Sequence, residues 1–91
     1  MKLFKTIDER FKEIGFDKLR DGDYIVSYER YVKEYDYTER LDIVHKASGR
    51  HIVQCYDPDL FDAEGIGNCC IGMTYYEMRL AMKKMQQKGW K

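Results

Sequence analysis

Two short patterns near the ends of the chain constrain its fold more than anything between them. Thr6 is followed three residues later by Glu9, and Thr74 is followed by Glu77. In each pair the threonine side chain can accept the glutamate N–H while the glutamate side chain reaches back to the threonine N–H, which starts a helix. Each start has a matching stop, Gly15 before Phe16 and Gly89 before Trp90. Glycine takes the left-handed conformation that ends a helix, and the aromatic after it folds back on the last turn. Leu3, Phe4, Ile7, Phe11 and Ile14 recur at spacings of three and four, so a helix is expected from residue 3 or 7 to residue 14. A second helix is expected over 75–88. Met78, Leu80, Ala81, Met82 and Met85 supply its apolar positions, and its methionines are expected to face the core.

The stretch between these helices alternates rather than repeating at helical spacing. Tyr24, Val26 and Tyr28 alternate with Ile25, Ser27 and Glu29, which predicts a strand over 24–32. In YTERLDIVHK, Tyr37, Leu41, Ile43 and His45 share one face of a strand, while Thr38, Arg40, Asp42 and Val44 share the other. The turn Ala47-Ser48-Gly49-Arg50 leads to a third strand, HIVQCY, at 51–56. Residues 17–23, DKLRDGD, read as a charged turn punctuated by Asp21-Gly22. Asp57-Pro58 is a good helix start, so 58–64 is expected to form a short helical turn or a plain loop. The expected fold is therefore a two-layer α+β domain. A helix, a three-stranded antiparallel meander, a short helix or loop and a C-terminal helix follow in order, with the helices on one sheet face.

Size and charge narrow the function. Ninety-one residues make one domain, and the net charge is zero. That balance argues against a strongly basic nucleic-acid binder and against an acidic nucleic-acid mimic. The N-terminus lacks the apolar stretch of a secretion signal, and no segment approaches a membrane span of about 18 apolar residues. Three cysteines, an odd number, fit a reducing compartment. A cytoplasmic protein with no membrane association is expected.

The charge is unevenly placed. Asp57, Asp59, Asp62 and Glu64 fall within eight residues with no cation among them. Their spacing fails the EF-hand pattern, because Phe61 and Asp62 stand at its fifth and sixth positions and Asn68 at its twelfth. No bound metal or other cofactor is expected, and these four carboxylates become candidates for binding a partner protein. His45, His51, Cys55, Cys69 and Cys70 lack the knuckle spacing of a zinc site. A Cys–His nucleophile, such as Cys55 or Cys69 with His51, has no recognisable oxyanion donors or orienting group. GIGNCCIG lacks the order of a phosphate-binding loop. No catalytic residue is assigned.

The order helix, three strands, helix matches that of the double-stranded-RNA-binding domain. That family sets a lysine cluster at the start of its second helix. Here that helix starts TYYEM, and Lys83, Lys84 and Lys88 come late. Those lysines with the sheet tyrosines form the alternative, nucleic-acid-binding reading, which the neutral charge disfavours.

A further likeness spans most of the chain, from Phe4 to Trp90. IGF at 14–16, YDYT at 35–38, LDIVHKASGRHIVQCY at 41–56 and GMTYYEMRLAMKKMQQKGW at 72–90 together resemble small uncharacterised proteins carried by phages and prophages of Gram-positive bacteria. The resemblance implies a cytoplasmic accessory protein that binds a host or phage protein, inhibitors of bacterial defence systems being one class. It carries no functional residue across. The leading expectation is thus a non-enzymatic protein-binding module, with homodimerisation through a sheet edge as a further option.

Overall fold

The computed structural model describes residues 5–59 and 71–90. Both terminal signatures are realised in it. Helix α1 (Ile7–Glu13) starts at Thr6, whose Oγ1 accepts the Glu9 N–H at 3.1 Å while Glu9 Oε1 accepts the Thr6 N–H at 3.2 Å. Helix α2 (Tyr75–Gln87) starts at Thr74 with the same exchange to Glu77, at 3.1 and 2.9 Å. Gly15 and Gly89 both have positive φ, +96° and +77°. The next residue closes each helix, with Phe16 N–H bonding to the Phe11 carbonyl and Trp90 N–H to the Met85 carbonyl, each at 2.9 Å. Gly15 also sits in a tight place. A Cβ there would lie 3.0 Å from Cδ of Arg30, which passes over this turn.

Between the helices lies an antiparallel sheet of four strands in sequence order, β1 (Asp17–Asp21), β2 (Ile25–Val32), β3 (Tyr37–His45) and β4 (His51–Tyr56). The expected meander is β2–β3–β4. The first strand corrects the reading of residues 17–23 as a charged turn. All five residues of β1 are exposed, and its register with β2 shifts at Leu19, its only apolar residue. An edge strand held by backbone pairing and surface charge carries no apolar alternation, so its sequence looks like a turn. Its charges also discourage pairing with a second sheet.

Alternation holds in the other strands. Val26 and Tyr28 pair in register with Ile43 and Leu41, and Leu41 pairs with Cys55. These five form one buried cluster with Phe11 and Phe16 and with Leu80 and Ala81 of α2. Both helices therefore cover the same sheet face. Phe11 stacks on Tyr28 with centroids 4.0 Å apart and meets Phe16 edge-on at 5.9 Å. Burying side chains of this size contributes about 1.5–3 kcal/mol each. Pro58 and Asp59 are helical, as the Asp57-Pro58 start suggests. The rest of that expected turn, with Asp62 and Glu64, lies outside the described residues, as do Leu3 and Phe4.

Candidate functional site

The side chains that α2 buries are not the ones its composition suggests. Glu77, Leu80, Ala81 and Lys84 face the sheet and are buried. They are spaced by three, one and three residues, a complete helical face. Met78 and Met82 are 45% and 55% exposed, and Tyr75 is 73% exposed. Only Met85 packs partly against the core. The expectation that the methionines face the sheet is thus corrected for Met78 and Met82 and holds in part for Met85. The helix is turned so that two charged residues point inward.

Each inward charge meets a prepared partner. At one end, Arg30 donates to Glu39 at 2.8 Å and to Glu77 at 3.1 Å through Nη2, and to the Ile14 carbonyl at 2.9 Å through Nη1. Glu39 and Glu77 are 2% and 3% exposed. The guanidinium also lies 4.3 Å from the Phe16 ring centre, a cation–π contact. At the other end, Lys84 Nζ sits 3.2 Å from Asp8 and 3.3 Å from Asp21. Lys18 bridges the same two carboxylates, Lys88 binds Asp21 at 2.7 Å, and the Tyr28 hydroxyl donates to Asp8 at 2.6 Å. Lys88 above all, with Lys18 and Lys84, holds Asp21 well below the usual carboxylate range against the upward pull of burial. Burial pushes Asp8 up, but hydrogen bonds from Lys18, Tyr28 and Lys84 outweigh it and leave Asp8 lowered.

With Glu77 and Lys84 turned in, the outer surface of α2 is apolar and cationic. Tyr75, Met78 and Met82 follow one another at spacings of three and four, so they form a ridge along one side. Arg79 lies beside it, its guanidinium carbon 5.8 Å from the Tyr75 ring centre. Arg79 and Lys83 are exposed. Glu77 is the helix's one carboxylate and is buried, so nothing acidic on α2 offsets these two cations.

The lysines singled out from sequence do not gather into a free basic patch. Lys83 is exposed, but Lys84 is 4% exposed and ion-paired, and Lys88 is bound to Asp21. Two of the three nucleic-acid candidates thus neutralise carboxylates of their own fold. In the acidic stretch, Asp57 is buried and its Oδ1 accepts the Asp59 N–H at 2.9 Å, a helix-start contact, while Asp59 is exposed. Cys55 does not pair with His51. Its thiol is buried against Glu39 Oε1 at 3.0 Å, and burial, then that carboxylate, pushes it far above the ordinary thiol range. A thiolate nucleophile is suppressed there, while Cys69 lies outside the described residues.

The opposite sheet face carries a second polar cluster. Asp42 is 5% exposed and accepts hydrogen bonds from Ser27 at 2.6 Å, Tyr56 at 2.7 Å and Gln54 at 3.3 Å. A groove of about 300 Å³ runs over it past Leu19, Arg20, Ile25 and Arg40. Arg40 is held on Glu29 at 2.7 and 3.0 Å. Three donors already occupy the carboxylate, so it ties β2, β3 and β4 together rather than offering itself to a ligand.

No group of three or more metal-ligating side chains occurs among the described residues, and no helix there is long and apolar enough to cross a membrane. Comparison with known protein families, with curated proteins and with solved structures finds no match.

Proposed function

We propose that this chain is a non-enzymatic protein-binding module that docks a partner on the outer face of α2. The observation that carries the reading is the exposed Tyr75–Met78–Met82 ridge, on a helix whose inner face is already saturated by ion pairs and core contacts. Exposed methionine is adaptable and polarizable, and aromatic residues, Met and Arg are the types enriched at protein interfaces. Arg79 and Lys83 beside the ridge specify the partner's chemistry, an apolar groove or helix face rimmed by carboxylates. The phage and prophage resemblance supports a host or phage protein as that partner, a component of a host defence system being one case. This reading sets the docking surface on α2; of the acidic 57–64 stretch, Asp57 starts a helix, Asp59 is exposed, and Asp62 and Glu64 lie outside the described residues.

Site-specific crosslinking in host cells tests this. A photoreactive residue replaces Met82 in one form of the chain and Lys46, exposed after β3, in another. A discrete adduct is expected from position 82 and not from 46. Excess wild-type chain should suppress it, while a folded Met78→Asp, Met82→Asp variant should not. No adduct from position 82, the same adduct from both positions, or equal suppression by the variant would overturn the proposal.

A further inference from the structure

His45 and His51 stand directly opposite each other across the β3–β4 hairpin, and the binding surface on α2 makes no use of them. Their Nδ1 atoms are 3.0 Å apart. At that separation one nitrogen carries the hydrogen and the other presents a lone pair to it, so the two nitrogens face each other. The ring centroids are 4.9 Å apart and the planes 26° from parallel. Trp90 lies nearly parallel to both rings, with its centroid 5.2 Å from His45 and 6.5 Å from His51. Tyr24 is nearly parallel to His45 at 6.3 Å. The helix stop at Gly89 holds Trp90 in this place. The pair is thus preset by strand register and by flanking aromatics.

We propose that the His45–His51 pair is a binding site for a late first-row divalent cation of the Ni²⁺, Cu²⁺ and Zn²⁺ kind, with the two Nδ1 atoms as ligands. Imidazole nitrogen suits these ions. Two metal–nitrogen bonds of about 2.0–2.1 Å at a tetrahedral angle place their nitrogens about 3.3–3.4 Å apart, so the pair opens by about 0.3–0.4 Å and each ring turns off the direct line between the nitrogens. The hydrogen on Nδ1 moves to Nε2 of the same ring, leaving two neutral imidazoles that each donate a lone pair. No third His, Cys, Asp or Glu joins the pair among the described residues, so the described residues supply two imidazole ligands.

The chain has a single tryptophan and only two histidines, which gives two independent readouts. Ni²⁺ is titrated into the full chain under a thiol-free reductant. Trp90 emission should be quenched saturably at one equivalent and restored by chelator. The quenching should vanish in His45→Ala and in His51→Ala, and persist in Cys69→Ser, Cys70→Ser. Should either histidine variant fail to fold, the wild-type chain decides by magnetic resonance, where Ni²⁺ must broaden the ring signals of both histidines together. Quenching that never saturates, survives in a folded histidine variant or disappears in the cysteine variant would overturn the assignment. So would ring signals left sharp.

Discussion

α1 and α2 share the same capping box and the same glycine–aromatic stop, yet α1 buries Phe11 while α2 buries Glu77 and Lys84 beside Leu80 and Ala81. Position explains the divergence. α1 lies over the apolar centre, where Tyr28 and Phe16 receive Phe11. α2 reaches Arg30 at one end and the Asp8–Asp21 pair at the other. Glu77 and Lys84 are seven residues apart, about 10.5 Å along a helix, so α2 is pinned at two points. Rolling the helix to bury Met78 and Met82 would break both contacts and leave buried charges unpaired, which is costly. Buried ion pairs add little net stability over apolar packing, but they can specify one arrangement against its alternatives. Here they select which face of α2 is left to solvent.

The largest expected effects test whether the two helices are held by different means. Phe11→Ala should cost about 3–5 kcal/mol by opening a cavity under α1. Arg30→Met should cost a similar ~3–5 kcal/mol, because Glu39 and Glu77 would remain buried without their cation. Urea unfolding measures both. An Arg30→Met loss below about 1 kcal/mol would mean that the ionic pin does not hold α2.

Acid should act next, and mainly on the Asp8–Asp21 end. Both carboxyls are lowered in the folded state. Their contribution is therefore intact above the unfolded carboxylate value of about 3.9 and falls away as pH drops through the lower folded values. Melting temperature followed from neutral pH downward should fall through this window. In Lys84→Met the fall should be shallower, since one of the cations holding both carboxyls down is gone. An unchanged slope would remove Lys84 from the network. Below these come the caps. Thr6→Ala and Thr74→Ala should each cost about 1 kcal/mol, because the helix starts are chemically the same. Unequal losses in urea would show that one helix depends on its cap more than the other.

Much of this fold was legible in the chain because its signals are local. Capping boxes, glycine stops and the period-two alternation of β2, β3 and β4 each depend on residues a few positions apart. β1 was not legible, since DKLRD is ordered by pairing to β2 and by Lys18 and Asp21 reaching Asp8, Lys84 and Lys88. The facing of α2 was hidden for the same reason. Met78, Met82 and Met85 also fall at helical spacing, so two faces compete on composition alone. Arg30–Glu77 and Asp8–Lys84, which decide between them, join residues 47 and 76 positions apart. His45 and His51 were legible as neighbours, because both flank the Gly49 turn, but without knuckle spacing they carried no assignment; their close approach is fixed by the β3–β4 register.

The smallest expected effect tests the central claim most directly. Met78→Lys and Met82→Lys chains are each unfolded in urea beside the wild type. If α2 presents its methionines outward, each substitution changes stability by no more than about 0.5 kcal/mol. A loss of about 2 kcal/mol or more at either position, the cost of emptying a core methionine site, would place these side chains inside and remove the ridge on which the proposed function rests.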